Sequence, residues 1–351
     1  MSWILLFSLC YLIWFRYSQR FASRPVHVPW RWQFVRVFLF VDTLLFTRLL
    51  GMDRKLHFSM DLKDYRNKRG HCWAFCCHHL LFPAFAMPFY AEREGLSEQM
   101  GVDVDDIFAV SAKILFFVPV LRELVLTLGG RIASLAVVEK LKGEGSEMAT
   151  EIMATSTIEL THSILLTLFT RFALASKMRL ASLGAVFGLV PGGVHEMISQ
   201  QPGVDRIFLR TGFLRMALRK KLDLVPCYMF DECSAYKPLK VPDWVTAVQL
   251  WLNRTFGVGI CLWKGRWGVP FNLIPNKGRY VHGFGRILKF DEVRGMSEDE
   301  AVQFWLEKFV EEEKRLFLEL QKVEKRRLDV TLEITILKTR FQRSGGGKKH
   351  S

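Results

Sequence analysis

The sequence predicts an α/β fold for the central part of this 351-residue chain, residues 51–305. Between residues 70 and 290, short apolar runs alternate with stretches of helical periodicity, which is typical of a mixed sheet flanked by helices. Half of all residues are hydrophobic, so a chain of this length can bury a large core. Because no repeat or linker interrupts the region, we predict a single domain.

Two strands and one helix follow directly from the pattern. Residues 185–190 ("AVFGLV") and 222–230 ("LDLVPCYMF") are short apolar runs of the kind that form buried strands. Between them, Thr211 is suited to cap a helix over residues 212–221, whose apolar positions follow helical spacing. The order strand, helix, strand predicts a β-α-β unit.

Residues 1–50 are predicted to anchor the chain in a membrane as a helical hairpin. Their two apolar runs, residues 3–15 and 34–50, are each shorter than the roughly 20 residues of a straight helical span. The connector is rich in arginine and carries Trp30 and Trp32, as in an interfacial belt. Charge bias favours a cytosolic connector, whereas a re-entrant hairpin would place it inside the bilayer. The sequence leaves both topologies open.

Three further segments are predicted to be two amphipathic helices and a flexible tail. Residues 143–182 form an insertion with an amphipathic helix suited to lie on a bilayer. Residues 306–343 repeat apolar positions at three and four residues among mixed charges, which predicts a C-terminal amphipathic helix that covers the core. Residues 344–351 are a flexible basic tail, whose Lys348 and Lys349 fit either a dilysine retrieval signal of endoplasmic-reticulum proteins or a solvated terminus.

Charge and cysteine content narrow the partners and the compartment. Lysine and arginine outnumber aspartate and glutamate 49 to 35, and a net charge of +14 favours an anionic partner. The 29 phenylalanines and 10 tryptophans favour lipid over nucleic acid, and no zinc finger, RNP-like strand or recognition helix accompanies the basic clusters. Seven cysteines without a framework spacing predict free thiols and a domain that faces the cytosol.

Residues 75–82, "FCCHHLLF", place two thiols and two imidazoles in an apolar run. Zinc needs four converging ligands, whereas neighbours such as Cys76 and Cys77 diverge on a helix or strand, and no second ligand pair follows at finger-like spacing. We therefore predict no metal site. The serine-hydrolase elbow, the Walker loop and the dinucleotide glycine motif are absent from the sequence as well, which sets those enzyme classes aside.

Residues 189–196, "LVPGGVHE", are the sharpest local feature. A predicted buried strand ends in Gly192 and Gly193, and Glu196 follows. Glycines let a backbone approach a ligand closely and present its amides to an oxyanion or phosphate, whereas a plain strand-to-helix turn would need only one glycine. We predict a functional site at this strand end.

Several blocks, kept in order, resemble the type 2 diacylglycerol acyltransferases and their monoacylglycerol and wax-alcohol relatives. They are P-V-L-R-E at 119–123, V-P-G-G-V-H-E at 190–196, R-T-G-F at 210–213, L-V-P at 224–226, F-D-E at 230–232 and Y-K at 236–237. The similarity covers roughly residues 1–320. It implies an α/β acyltransferase domain at the endoplasmic-reticulum membrane, and also on lipid droplets, that moves an acyl group from acyl-coenzyme A to a neutral glyceride without a cofactor.

The resemblance and the chemistry together nominate catalytic residues. An alcohol needs a general base, and His79 or His78 is suited to that task because its reference pKa lies near 6.5. The amides of Gly192 and Gly193 would stabilise the developing negative charge. Glu196 would orient or balance the histidine.

Substrate-binding candidates come from the same blocks. Arg122 and Arg210 would bind the phosphates of the coenzyme, because a guanidinium fork matches phosphate oxygens and stays charged. Gly212, Phe213 and Glu232 are further candidates that the resemblance supplies. Self-association of the chain is left open.

The histidine block departs from the family's pattern. The family has an F-G-Y-H-P-H-G-like block, and alignment on Phe75 keeps its first histidine at His78 but places Leu80 at the second. Either His79, shifted by one position, or His78 acts as the base, or activity is lost. Asp231 also replaces the glycine of F-G-E. Because of these departures, three alternative functions stay open. The chain could transfer the acyl group to another acceptor, bind lipid without catalysis, or be a metal-dependent lipid enzyme.

Overall fold

The computed structural model describes residues 51–65, 70–76, 107–111, 126, 130–132, 186–199, 203–256, 262–270, 274 and 276–337. The predicted hairpin, the 143–182 insertion and the basic tail lie outside these residues. Within the part of the chain that is described, no helix has both the length and the apolar character needed to cross a membrane.

Strands and helices alternate along much of the described chain. The strands are β1 (Met52–Phe58), β2 (His71–Cys76), β3 (Ile107–Ser111), β4 (Gly130–Ile132), β5 (Val186–Leu189), β6 (Val204–Arg210), β7 (Asp223–Phe230), β8 (Lys237–Pro238), β9 (Trp263–Lys264), β10 (Gly278–Phe284) and β11 (Thr331–Leu337). The α-helices are α1 (Val194–Ser199), α2 (Gly212–Arg219), α3 (Glu232–Ala235), α4 (Asp243–Phe256) and α5 (Glu298–Glu324).

A seven-stranded mixed sheet in the order β1-β10-β7-β2-β5-β3-β4 organises the fold. Strands β7, β2, β5, β3 and β4 are parallel to one another, and β10 joins β7 antiparallel with β1 parallel to β10. Strand β6 pairs with β11, and β8 with β9, in two small separate sheets. The predicted mixed α/β architecture is confirmed.

The central strands are covered on both faces. Every residue of β2 and of β7 is buried, as expected for parallel strands in the middle of an α/β sheet. Alternate residues of β2 enter two different cores: Cys72, Ala74 and Cys76 share one with the apolar face of α5, whereas Trp73 and Phe75 share the other with Tyr65 and Phe284. The sheet therefore separates two apolar layers.

The elements predicted between residues 185 and 230 are confirmed with small shifts of their ends: β5 spans Val186–Leu189, α2 Gly212–Arg219 and β7 Asp223–Phe230. They do not form a simple β-α-β unit. Helix α1 and strand β6 come before α2, and β2 lies between β5 and β7 in the sheet. The sequence pattern is local, whereas the insertion of β2 between two later strands is a long-range pairing.

The predicted C-terminal helix over residues 306–343 needs correction at both ends. Helix α5 begins at Glu298, where Ser297 and Glu300 form a reciprocal capping box, and it ends at Glu324 before Lys325 with φ 50°. Residues Thr331–Leu337 then form β11 beside β6. Four of the seven residues in the run T-L-E-I-T-I-L are β-branched, which favours a strand over a helix.

Candidate active site

The carboxyl ends of three neighbouring strands meet at one edge of the central sheet. Strand β2 runs parallel to β5 on one side and to β7 on the other, with Ala74 opposite Leu189 and Cys76 opposite Tyr228. The segment P-G-G-V-H-E, residues 191–196, follows β5, and Asp231 begins the segment after β7. The topology thus brings two of the predicted blocks to either side of the strand that leads into "FCCHHLLF". His78, His79 and Arg122 lie outside the described residues.

The two glycines after β5 are required for different reasons. Gly193 has φ +52°, a left-handed conformation that glycine adopts without strain, and a Cβ there would meet nothing within 4 Å. A Cβ on Gly192 would lie 2.4 Å from three atoms of the Glu196 side chain. Gly193 therefore makes the turn into α1, and Gly192 leaves the space that the Glu196 carboxyl occupies.

Glu196 is fully buried in this space. Its Oε1 accepts a hydrogen bond of 3.2 Å from the backbone amide of Phe208, in the middle of β6. A buried carboxyl is costly unless it is hydrogen-bonded, so this contact fixes Glu196 to a strand outside the central sheet. The predicted acid is thus a buried, hydrogen-bonded side chain at the edge of the sheet.

A second buried carboxyl, which sequence reasoning missed, lies close by. Glu313 of α5 has no exposed surface, and neither of its oxygens has a hydrogen-bond partner that meets ordinary distance and angle limits among the described residues. Burial raises its pKa well above the ordinary value, and the neighbouring Glu196 raises it further; the Cys76 thiol and the Cys227 amide are near enough to lower it in part. The protonated form of Glu313 is therefore favoured.

Cys76 and Cys227 are free and buried, as is Cys72. Burial raises the pKa of the Cys76 thiol well above its usual value, and the carboxyls of Glu313 and Glu196 add to the shift. A thiol of this kind is a poor nucleophile, because the thiolate is the reactive form. The prediction of free thiols is confirmed for these three cysteines. Among the described residues, no group of three acidic, histidine or cysteine side chains could hold a metal ion.

Asp231, where the resemblance has a glycine, adopts a backbone conformation that glycine favours. Its φ is +66°, in the left-handed region that aspartate tolerates better than most residues. Arg326 Nη1 donates to its Oδ2 over 2.8 Å, and Arg327 Nε lies 3.5 Å from its Oδ1. Burial raises the pKa of Asp231, and the two guanidiniums oppose that rise. The residue that departs from F-G-E therefore holds a left-handed turn and forms an ion pair.

Glu232 follows at the first position of α3 and is also buried, at 1% exposure. It therefore lies inside the protein just beyond the carboxyl end of β7. This places a second predicted acid at the same sheet edge as Glu196.

The R-T-G-F block lies on the β6 side of the site. Arg210 is exposed at the end of β6, on the same face as Phe208 and about 7 Å along the strand from the amide that holds Glu196. Gly212 begins α2. Phe213 is buried in the core, where its ring meets that of Phe309 edge-on with centroids 5.3 Å apart. Arg210 is thus placed toward solvent near the site, and Phe213 packs α2 onto α5.

Comparison with known proteins agrees with the family resemblance of the sequence blocks. A family model described as "Diacylglycerol acyltransferase" matches residues 148–335, slightly more than half of the chain. The chain is 32% identical over 117 residues to mouse diacylglycerol O-acyltransferase 2-like protein 6, which covers 29% of this chain and 35% of that protein. It is 35% identical over 101 residues to rat diacylglycerol O-acyltransferase 2, covering 25% of this chain and 26% of that protein.

A relative from Dictyostelium discoideum, also named diacylglycerol O-acyltransferase 2, is 28% identical over 135 residues, covering 37% of this chain and 41% of that protein. The chain thus spans between about a quarter and two fifths of the length of these curated relatives. No solved structure gives a significant match.

Proposed function

Because the chain belongs to the diacylglycerol acyltransferase family, we propose that it transfers a fatty acyl group from acyl-coenzyme A to the free hydroxyl of diacylglycerol. The product is triacylglycerol, formed at the endoplasmic-reticulum membrane by a domain that faces the cytosol. One observation carries the proposal: β2, which leads into the histidine block, lies between β5, which is followed by Gly192, Gly193 and Glu196, and β7, which is followed by Asp231 and Glu232.

The short sequence separation between β2 and the candidate bases supports a role for Glu196. His78 follows Cys76 by two residues and His79 by three, and an extended chain advances at most about 3.6 Å per residue. The Cys76 thiol is near enough to Glu196 for that carboxyl to raise its pKa. In this proposal Glu196, a buried acid, orients whichever histidine acts as the base.

The reaction proceeds by general base catalysis. His79 or His78 takes the proton of the acceptor hydroxyl while the oxygen attacks the thioester carbonyl, and the amides of Gly192 and Gly193 stabilise the resulting oxyanion. Collapse of this intermediate breaks the carbon–sulfur bond, and the imidazolium returns the proton to the departing coenzyme A thiolate. The scheme uses acyl-coenzyme A as co-substrate and needs no other cofactor.

The remaining candidates bind substrate in this scheme. Arg210, exposed beside the site, and Arg122 hold the phosphates of the coenzyme. Glu232 lines the edge of the sheet after β7. Gly212 and Phe213 set the position of α2 behind Arg210.

The test is to express the full chain in a host that lacks triacylglycerol synthesis and to quantify its neutral lipids. Wild type should restore triacylglycerol, and Glu196→Gln and one of the variants His78→Ala and His79→Ala should lower synthesis at least about 100-fold, the usual scale for loss of a general base or its partner. Glu292→Gln, at an exposed glutamate, is the matched control and should match wild type.

Other outcomes would change the proposal. Diacylglycerol or wax ester as the sole product would reassign the acceptor to monoacylglycerol or a long-chain alcohol. No neutral lipid from a well-expressed, membrane-associated protein would make the chain a silent lipid-binding relative and overturn the enzyme proposal. Loss of activity both with a chelator and in Cys76→Ser would point to a metal-dependent enzyme instead.

A further inference from the structure

Helix α4 presents an apolar face to solvent. Trp244, Val248 and Trp251 are 69%, 45% and 55% exposed, and Ala247 is exposed between them. Positions 244, 247, 248 and 251 have the spacing that lies along one side of a helix. The buried side carries Gln249, at 6% exposure. A surface helix in water normally has the reverse pattern, so the outward side of α4 is suited to an apolar environment.

The segments on either side of α4 have the composition of a lipid interface. Helix α4 connects the paired strands β8 and β9, and Trp267, 73% exposed, follows β9 with the Arg266 guanidinium 5.4 Å from its ring centroid. Between residues 237 and 270 there is one acid, Asp243, and the bases are Lys237, Lys240, Arg254, Lys264 and Arg266. Tryptophans among cations are typical of segments that lie at the level of phospholipid headgroups.

We propose that the outward face of α4, defined by Trp244, Ala247, Val248 and Trp251, docks on the surface of an anionic lipid layer. The tryptophan rings enter the boundary between headgroups and acyl chains, and the flanking lysines and arginines meet the lipid phosphates. A lipid surface fits better than a protein groove, because bulky amphipathic rings flanked by cations match both layers of that boundary.

The location of α4 gives this surface a role in substrate delivery. Helix α4 packs against α1, which carries Glu196. A neutral glyceride dissolved in the lipid layer would then reach the candidate active site without crossing water. The docking proposal depends only on the exposed side chains of α4. The delivery proposal also rests on the proposed function.

The docking test measures tryptophan quenching in the full chain, reconstituted in vesicles of brominated phosphatidylcholine and phosphatidylserine. Trp244→Phe/Trp251→Phe should show less quenched fluorescence per mole than wild type, because its two lost rings lie among the bromines. Trp305→Phe, at a fully buried tryptophan of α5, is the control and should keep the wild-type amount of quenched fluorescence. Equal quenching in the double variant and wild type would overturn the docking proposal.

The delivery test compares two forms of diacylglycerol, one embedded in the same vesicles and one short-chain and dispersed. In Trp244→Gln/Trp251→Gln, the ratio of kcat/KM for the embedded to the dispersed acceptor should fall about fivefold or more, the scale expected when two interfacial anchors are removed. The matched control is Leu318→Gln/Leu328→Gln, two exposed leucines elsewhere. An unchanged ratio would overturn delivery.

The two tests separate the two proposals. If wild type shows no acyl transfer to either acceptor, the proposed function fails, while the quenching result still decides docking. If Trp244→Phe/Trp251→Phe keeps the wild-type amount of quenched fluorescence but changes the oligomer size in sedimentation, the surface binds protein and not lipid.

Discussion

Helices α5 and α4 break the amphipathic rule in opposite ways. Helix α5 turns two carboxyls inward, with Glu312 at 7% and Glu313 at 0% exposure on the side that also carries Phe309 and Leu316. Helix α4 turns tryptophans outward and buries Gln249. Natural sequences depart from local rules mainly where function demands it. Both departures adjoin the candidate site, one beneath the sheet edge and one beside α1.

The two inward carboxyls of α5 also differ from each other. Glu312 Oε1 accepts from the Arg286 amide over 2.6 Å, and Arg315 binds both of its oxygens. Glu313, the next residue, has no such guanidinium among the described residues, and its protonated form is favoured because it is buried beside Glu196. Glu312 therefore has a structural role in an ion pair with Arg315, whereas Glu313 belongs to the environment of the candidate site.

The largest effect is expected at Gly192, which makes room for the Glu196 carboxyl. Gly192→Ala places a Cβ where three Glu196 atoms now lie 2.4 Å away, so the carboxyl must move. A shift of about 1 Å in a positioned catalytic group commonly lowers kcat/KM about 100-fold, and we expect at least that loss in an acyl-transfer assay.

Gly193→Ala is the matched control for Gly192→Ala. It adds the same methyl group one residue later, where nothing lies within 4 Å, but φ is +52°. It should lower the free energy of unfolding by about 1–2 kcal/mol and keep most of the activity per folded molecule. Equal activity losses in both variants would show that backbone conformation, and not the space for Glu196, is what this segment requires.

The second effect concerns the inner face of α5 and depends on pH. Because the folded-state pKa of Glu313 is raised, its protonated form stabilises the fold fully below the unfolded pKa near 4.3, and this contribution is lost as pH rises toward the folded-state pKa. Glu313→Gln removes this contribution to the pH dependence of the free energy of unfolding. Over that window the variant should gain up to about 1.4 kcal/mol per pH unit over wild type in the free energy of unfolding.

Denaturant unfolding in detergent at pH 5 and pH 8 measures this difference. Glu311→Gln, at an exposed position two residues earlier on α5, should follow the wild-type pH dependence. Parallel pH profiles of unfolding free energy for Glu313→Gln and wild type would mean that Glu313 is ionised in the folded protein. Helix α5 would then no longer bury a protonated carboxyl, and its contrast with α4 would weaken.

Local patterns predicted much of the fold, and long-range pairing explains the rest. The apolar runs that became β5 and β7, and the helical spacing of α2, are properties of neighbouring residues. The position of β2 between β5 and β7 depends on contacts between distant residues, which no local pattern contains. At the C-terminus, charge-rich helical periodicity masked the β-branched run of β11.

The candidate site divides in the same way. Gly192, Gly193 and Glu196 were predicted because glycines and an acid are adjacent in sequence, although the separate reason for Gly192 needed the structure. Glu313 was missed because it lies among many charges, yet a signal was present: it stands four residues after Phe309 and three before Leu316, inside the apolar stripe. The roles of His78, His79 and Arg122 stay predictions.

The smallest effect is expected on the outward face of α4 and concerns stability. Because Trp244 and Trp251 are 69% and 55% exposed, Trp244→Gln/Trp251→Gln should change the free energy of unfolding in detergent by no more than about 0.5 kcal/mol per site, as is usual for surface substitutions. By contrast, truncation of the fully buried Trp305 to alanine should cost about 3–5 kcal/mol. A loss of more than about 2 kcal/mol in the double variant would mean that these rings pack within the folded chain. The outward face of α4 would then belong to the core, and the opposition between the two helices would disappear.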